Sequence, residues 1–161
     1  MQKLTLPFVN TKCPIPIVRF PLADGKSIYA IIDTGSECTL YDISVKKANP
    51  ELFGKSKYMG KQRVVGVNET KEADVYASGM RLNVVMENEE DVAVKFVAYS
   101  HSFFGESIKS LIDMEGLAEN VPLLMGSDSL NWFNAKIDMK KKAICFTILS
   151  PKKMAKKKKD A

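Results

Sequence analysis

The chain reads as a mainly β protein with one or two short helices, and three observations predict this. Short apolar runs rich in Val, Ile and aromatic residues recur along it, bounded by Gly, Pro, Asn and Asp. An Asp-Gly pair, Asp24-Gly25, lies between two such runs and is a strong hairpin signal. The stretch Val92 to Tyr99 alternates in part between apolar and polar residues, as a half-buried strand does.

In order along the chain, Leu4 to Val9 predicts a strand that Pro7 confines to a sheet edge, because proline has no N–H to donate to a ladder. Pro14 to Phe20 is extended, since each proline fixes its own φ and disfavours helix before it. Strands over about 15–22 and 27–32 should pair antiparallel around Asp24-Gly25. Between Glu37 and Lys47, the spacing of Leu40, Ile43 and Lys47 predicts a short helix that Asn49-Pro50 ends. Lys61 to Val67 and Ala73 to Val85 read as β segments around the polar residues 68–72, an exposed hairpin. Glu87 to Asp91 is an acidic, solvated turn before the strand at 92–99. Ile108, Leu111, Ile112 and Glu115 predict a helix over about 107–119. Val121 to Met125 is an apolar run that stops at Gly126, and Ser127 to Phe133 begins a helix with capping residues at its start. A lysine turn at 140–142 leads into a last strand, Ala143 to Leu149.

At 161 residues the chain is long enough for one domain with a sizeable core. Its net charge of +5 is concentrated at one end. Six of the 24 basic residues and one of the 19 acidic ones lie in 150–161, leaving 18 of each in residues 1–149. The expected organisation is therefore a folded domain over 1–149 and a disordered lysine-rich tail over 150–161. A body without basic excess argues against a nucleic-acid-binding domain, whose affinity rests on neutralising phosphates. A contact to nucleic acid through the tail alone is the weaker reading beside a solvated end.

No apolar run approaches the ~20 residues that span a bilayer. Met1 to Pro7 lacks the layout of a signal peptide. Cys13, Cys38 and Cys145 are odd in number and have no metal-ligand spacing. Together these features point to free thiols in a reducing compartment, so a cytoplasmic location is expected, with no metal and no cofactor. His101 is the only histidine and has no partner pattern for a triad.

The chemistry is expected at Asp33-Thr34-Gly35-Ser36, directly after the apolar run Ile28 to Ile32. A carboxylate at the end of a buried strand is costly unless hydrogen bonds surround it. Gly35 permits a sharp turn and frees an N–H for that carboxylate, while Thr34 and Ser36 bring hydroxyls to the same place. A carboxylate oriented in this way suits acid–base chemistry. By itself Asp-Thr-Gly is also an ordinary turn sequence. A second motif, Leu124-Met125-Gly126, opens a helix roughly ninety residues later.

The pair of motifs, in this order, resembles the retropepsin-like aspartic peptidases, the single-lobe family of the retroviral and Ddi1-type proteases. The resemblance covers roughly residues 10–149 and includes Gly126, Asp128, Leu130, Ile137-Asp138 and the lysine turn. It implies a single-lobe, closed β fold in which Leu124-Met125-Gly126 packs beside the catalytic loop. It implies Asp33 as the catalytic residue, supported by Thr34, Gly35 and Ser36. It also implies a substrate-covering hairpin, here about Arg63 to Ala77 with Val65, Gly66 and Val67 at its centre. That hairpin has only one glycine where the retroviral counterpart is glycine-rich, and residues 100–121 are longer than in a minimal retroviral protease.

The implied activity is aspartic endopeptidase cleavage of polypeptides. Two carboxylates sharing one proton activate a water, and this chain has one Asp-Thr-Gly. Asp128 is explained by capping and Asp138 precedes the lysine turn, so the second aspartate must come from a second copy in a C2 homodimer. The terminal strands, Gln2 to Phe8 and Ala143 to Leu149, are the expected edges for that association. The competing reading is a catalytically silent retropepsin-like module for dimerisation or peptide binding.

Overall fold

Reversal of the chain at Asp24-Gly25 sets up the first half of the architecture. Gly25 has φ +86°, a conformation that costs a glycine little. The Asp24 carboxylate accepts the Lys26 N–H at 2.9 Å, and the Leu22 N–H donates to the Lys26 carbonyl at 2.9 Å. The turn pairs β2 (Ile17–Pro21) with β3 (Ser27–Ile32) antiparallel, with Ile17 opposite Ile31 and Pro21 opposite Ser27. The structure is a computed structural model and describes residues 1–9, 16–65, 70–100 and 123–149. The expected helix over 107–119 and the expected tail over 150–161 lie outside these residues, as do Gly66 and Val67.

The described residues are mainly β, with two short helices. A seven-stranded sheet has β8 (Leu123–Met125) beside β3, then β4 (Leu40–Tyr41), β7 (Asp91–Ser100), β6 (Thr70–Val85) and β5 (Lys57–Val65). β3 pairs with β8 in parallel, and β4 pairs with β8 antiparallel and with β7 in parallel. A three-stranded sheet is ordered β1 (Gln2–Pro7), β10 (Ala143–Ile148), β9 (Lys136–Asp138). The helices are α1 (Ile43–Ala48) and α2 (Ser127–Trp132), and a 3-10 turn covers Pro50–Leu52.

One apolar core joins the two sheets. Leu4 and Leu6 of β1, Phe20 of β2, Leu82 of β6, Val94 of β7 and Ile144 and Phe146 of β10 are all buried in it. Phe146 is wholly enclosed, its ring 5.7 Å from that of Phe20 and 5.9 Å, edge-on, from that of Phe133. Truncating it leaves a cavity that neighbours on two sheets cannot collapse to fill. The expected result for Phe146→Ala is a loss of about 3–5 kcal/mol, read from urea denaturation midpoints.

Several sequence expectations change in the structure. The helix expected within Glu37–Lys47 begins only at Ile43. Residues 39–41 are drawn instead into the sheet: the Tyr99 N–H donates to the Thr39 carbonyl at 2.9 Å, Leu40 faces Leu124, and Tyr41 faces Ser100 and is buried. Tertiary pairing here overrides local helical spacing. The hairpin strands are longer than the apolar runs alone indicated: β5 begins at Lys57 and β6 at Thr70, with β6 alternating between buried and exposed positions from Ser78 to Val84. The last strand is not a free edge: β10 is flanked by β1 and β9, with Gln2 opposite Ile148 and Pro7 opposite Ala143. The two terminal strands satisfy one another within a single chain, and β1 and β9 are the edges of that sheet.

Candidate active site

β3 ends one residue before Asp33, and its last three residues, Ala30, Ile31 and Ile32, are all buried. Burial on both faces follows from its central position between β2 and β8. The strand's pairing continues into the site, where the Asp33 N–H donates to the Met125 carbonyl at 3.0 Å. The backbone of Asp33 is thus fixed by the second sequence motif. The Gly35 N–H donates to Asp33 Oδ1 at 2.9 Å, as the sequence led one to expect, and the Ser36 N–H donates to the Asp33 carbonyl at 3.2 Å. The carboxylate is half-buried at the surface of this single chain.

The hydroxyls of the turn differ from expectation, and Gly35 is required for a second reason. Gly35 is not held at positive φ; a Cβ there would lie 3.2 Å from Asp33 Oδ1, so a side chain would crowd the carboxylate the turn presents. The Ser36 hydroxyl does not serve Asp33 either. It donates to the Cys38 carbonyl at 2.8 Å and stiffens the loop, and Thr34 is exposed.

The loop from Asp33 to Thr39 straddles β8, leaving β3 on one side of it and entering β4 on the other. Leu124 and Met125 lie in β8 and are buried, and Gly126 follows at the N-terminal boundary of α2. Gly126 lies against the loop: an added Cβ would be 2.3 Å from the Cys38 oxygen and 2.7 Å from the Ser36 oxygen. The Ser127 N–H donates to the Ser36 carbonyl at 2.7 Å, and the Asp128 N–H to the Glu37 carbonyl at 3.2 Å. The N-cap residue Gly126 has no side chain to cap α2, so the first two N–H groups of the helix donate to loop carbonyls, while the third, that of Ser129, is taken by the Asp128 carboxylate, as expected of an acidic residue at a helix start.

Thr39 is the residue that sequence reasoning missed. It is fully buried, and its hydroxyl accepts the Gly126 N–H at 3.2 Å. The same oxygen lies 2.7 Å from Asp128 Oδ1 and 2.6 Å from Ser129 Oγ. Asp128 Oδ1 also accepts the Ser129 N–H at 2.6 Å. This buried cluster ties the far end of the loop to α2. Its one signal in the sequence is a β-branched hydroxyl residue directly before the apolar pair Leu40-Tyr41.

Cys38 lies in the same loop, exposed and not in a disulfide. Partial burial raises its thiol pKa above the ordinary value, and the nearby Asp128 and Glu37 carboxylates add to the shift, so the thiol stays protonated at neutral pH. Of the expected covering hairpin, Val65 is the last residue of β5 and pairs with Thr70. No group of His, Cys, Asp or Glu among the described residues could hold a metal ion, and none of their helices is long and apolar enough to cross a membrane.

No family model matches this chain, and no curated protein does. Among solved structures, a retropepsin-like aspartic protease from Rickettsia conorii is similar with 15% identity and a TM-score of 0.45, over 90% of this chain and 89% of that one. The retroviral protease-like domain of Ddi1 from Leishmania major is similar with 12% identity and a TM-score of 0.38, over 91% of this chain and 96% of that one.

Proposed function

We propose that the chain is an aspartic endopeptidase that hydrolyses polypeptides as a homodimer, with one Asp33 from each copy. The observation that carries this reading is the Asp33 turn. A half-buried carboxylate ends a buried strand, receives the Gly35 N–H at 2.9 Å, and has its own backbone locked to Met125 at 3.0 Å. Hydrogen-bonded, oriented carboxylates of this kind are what general acid–base catalysis uses.

In the proposed reaction one Asp33 carboxylate takes a proton from a bound water, and the protonated Asp33 of the other copy donates to the substrate carbonyl oxygen. The water oxygen bonds to the carbonyl carbon, and collapse of the tetrahedral species breaks the C–N bond, with a proton passing to the leaving amine. Thr34, Gly35 and Ser36 act as loop support in this reading, and Leu124-Met125-Gly126 as its backing. Residues 65–67 are proposed to cover bound substrate. The domain is proposed to span 1–149, with 150–161 as an appended tail, and the location is proposed to be cytoplasmic. The alternative, a silent module for dimerisation or peptide binding, has no chemical need for the carboxylate geometry at Asp33.

The test is incubation of the purified chain with a diverse peptide library from acidic to neutral pH, with and without a pepstatin-type inhibitor. Inhibitor-sensitive cleavage supports the proposal, and no cleavage under any condition favours the silent module. Because one chain supplies one Asp-Thr-Gly, specific activity is expected to fall on dilution, in step with dimer dissociation measured by sedimentation. A fully active monomer would refute the shared site.

A further inference from the structure

A trough crosses the outer face of the β6–β7 pair, and neither Asp33 nor any other residue of the 33–39 loop lines it. Its volume is about 740 Å³, within the range of sites that enclose small ligands. The 3-10 turn forms one wall: Phe53 bridges to Met80, and the Gly54 N–H donates to the Gly79 carbonyl at 2.8 Å. α2 forms the other wall with Trp132, held next to β7 by the edge-on contact of Phe133 with Phe96 at 6.3 Å. The floor between them is apolar and open. Gly79 faces Val97 across the ladder, nothing lies within 4 Å of where a Gly79 Cβ would be, and Val97 is 50% exposed.

Two bases and two acids line the trough, and the two bases lie together on its floor. Arg81 and Lys95 face one another in register, both exposed and both lining the trough. Like charges directly opposite on a sheet repel, so the pair is destabilising unless an anion lies between them. The two acids that line the trough have partners of their own, although both keep their negative charge. Glu51 is 3.8 Å from Lys26, and Asp128 Oδ1 is held by Thr39 and Ser129. Arg81 uses its Nε on Asn83 Oδ1 at 3.2 Å, which leaves the outer nitrogens of its guanidinium for a ligand.

We infer that this trough binds a small amphipathic carboxylate, with an apolar body over Gly79 and Val97 and the carboxylate between Arg81 and Lys95. Arg supplies a forked donor and Lys a point charge, and an apolar chain covers the one large hydrophobic residue the sheet exposes there. The site is independent of proteolysis and stands or falls without it.

Trp132 is the only tryptophan of the chain, so its fluorescence reports on the trough directly. The experiment titrates the full chain with decanoate below its micelle concentration, with decanol and butyrate as controls. Decanoate is expected to give a saturable change, with decanol and butyrate each binding at least about tenfold more weakly. Arg81→Gln and Lys95→Gln, both at exposed positions, should each weaken decanoate several-fold without changing the decanol response. Val97→Glu should abolish decanoate binding by placing a negative charge on the floor. Circular dichroism of each variant confirms that the fold is kept. A decanoate response that is absent, that decanol matches, or that survives both Arg81→Gln and Lys95→Gln unchanged would overturn the inference.

Discussion

Asp33→Asn is expected to lower the rate of peptide hydrolysis by about 10³-fold or more while leaving the fold intact. The two halves of that expectation rest on different atoms. Asn keeps an oxygen where Asp33 Oδ1 accepts the Gly35 N–H at 2.9 Å, and the bond from the Asp33 N–H to the Met125 carbonyl involves only backbone. The turn can therefore close as before. What disappears is the group proposed to take and return a proton, a role worth roughly 10²–10⁴-fold in general acid–base catalysis. In a shared site each dimer loses both of its carboxylates at once, which places the loss at the upper end. The measurement is cleavage of a library-selected peptide, with circular dichroism and sedimentation to confirm an unchanged fold and association. Undiminished cleavage by purified Asp33→Asn protein would remove Asp33 from the chemistry.

Among the described glycines, Gly126 is the one at which substitution by Ala is expected to be most damaging. Its Cβ would lie 2.3 Å from the Cys38 oxygen, 2.6 Å from the Cys38 carbonyl carbon and 2.7 Å from the Ser36 oxygen. These are backbone atoms, so no side-chain rotation relieves the clash. Either β8 or the 33–39 loop must move, and movement breaks the bonds from Ser127 N–H to Ser36 and from Gly126 N–H to Thr39. Overpacking costs about 1–3 kcal/mol, and each lost hydrogen bond adds about 1 kcal/mol. A total of about 3–5 kcal/mol is a large fraction of the stability of a typical domain. Gly79→Ala is the matched control, because a Cβ there meets nothing within 4 Å and the strand interior gains from losing glycine. Equal urea midpoints for the two variants would show that the packing of Gly126 on the loop does not matter to stability.

The site was legible in part because its two halves are local. A buried strand ending in Asp33-Thr34-Gly35 and an apolar run ending in Gly126 are each visible in a few consecutive residues, and the structure brings Asp33 and Met125 within hydrogen-bond distance. The roles of single groups were less legible. Ser36 was expected to face the carboxylate and instead bonds to Cys38, because a short hydroxyl side chain reaches whichever acceptor the folded loop places nearest. Thr39 was passed over altogether. Its partners Asp128 and Ser129 lie 89 and 90 residues away, so no local pattern marks it.

The sequence by itself determined the β class, the Asp24-Gly25 hairpin, the β6–β7 turn and the segment that carries the candidate catalytic carboxylate. These are decided by φ preference, by side-chain branching and by alternation, all of which act over a few residues. Only the tertiary structure decided that Leu40-Tyr41 would be strand rather than helix, and that β10 would be enclosed by β1 and β9 instead of left as an edge. The same holds for the pairing of Arg81 with Lys95 beside an apolar trough. In each case the deciding hydrogen-bond partner or charge lies on another strand, and a backbone group takes the partner that burial leaves within reach, whatever its distance along the chain.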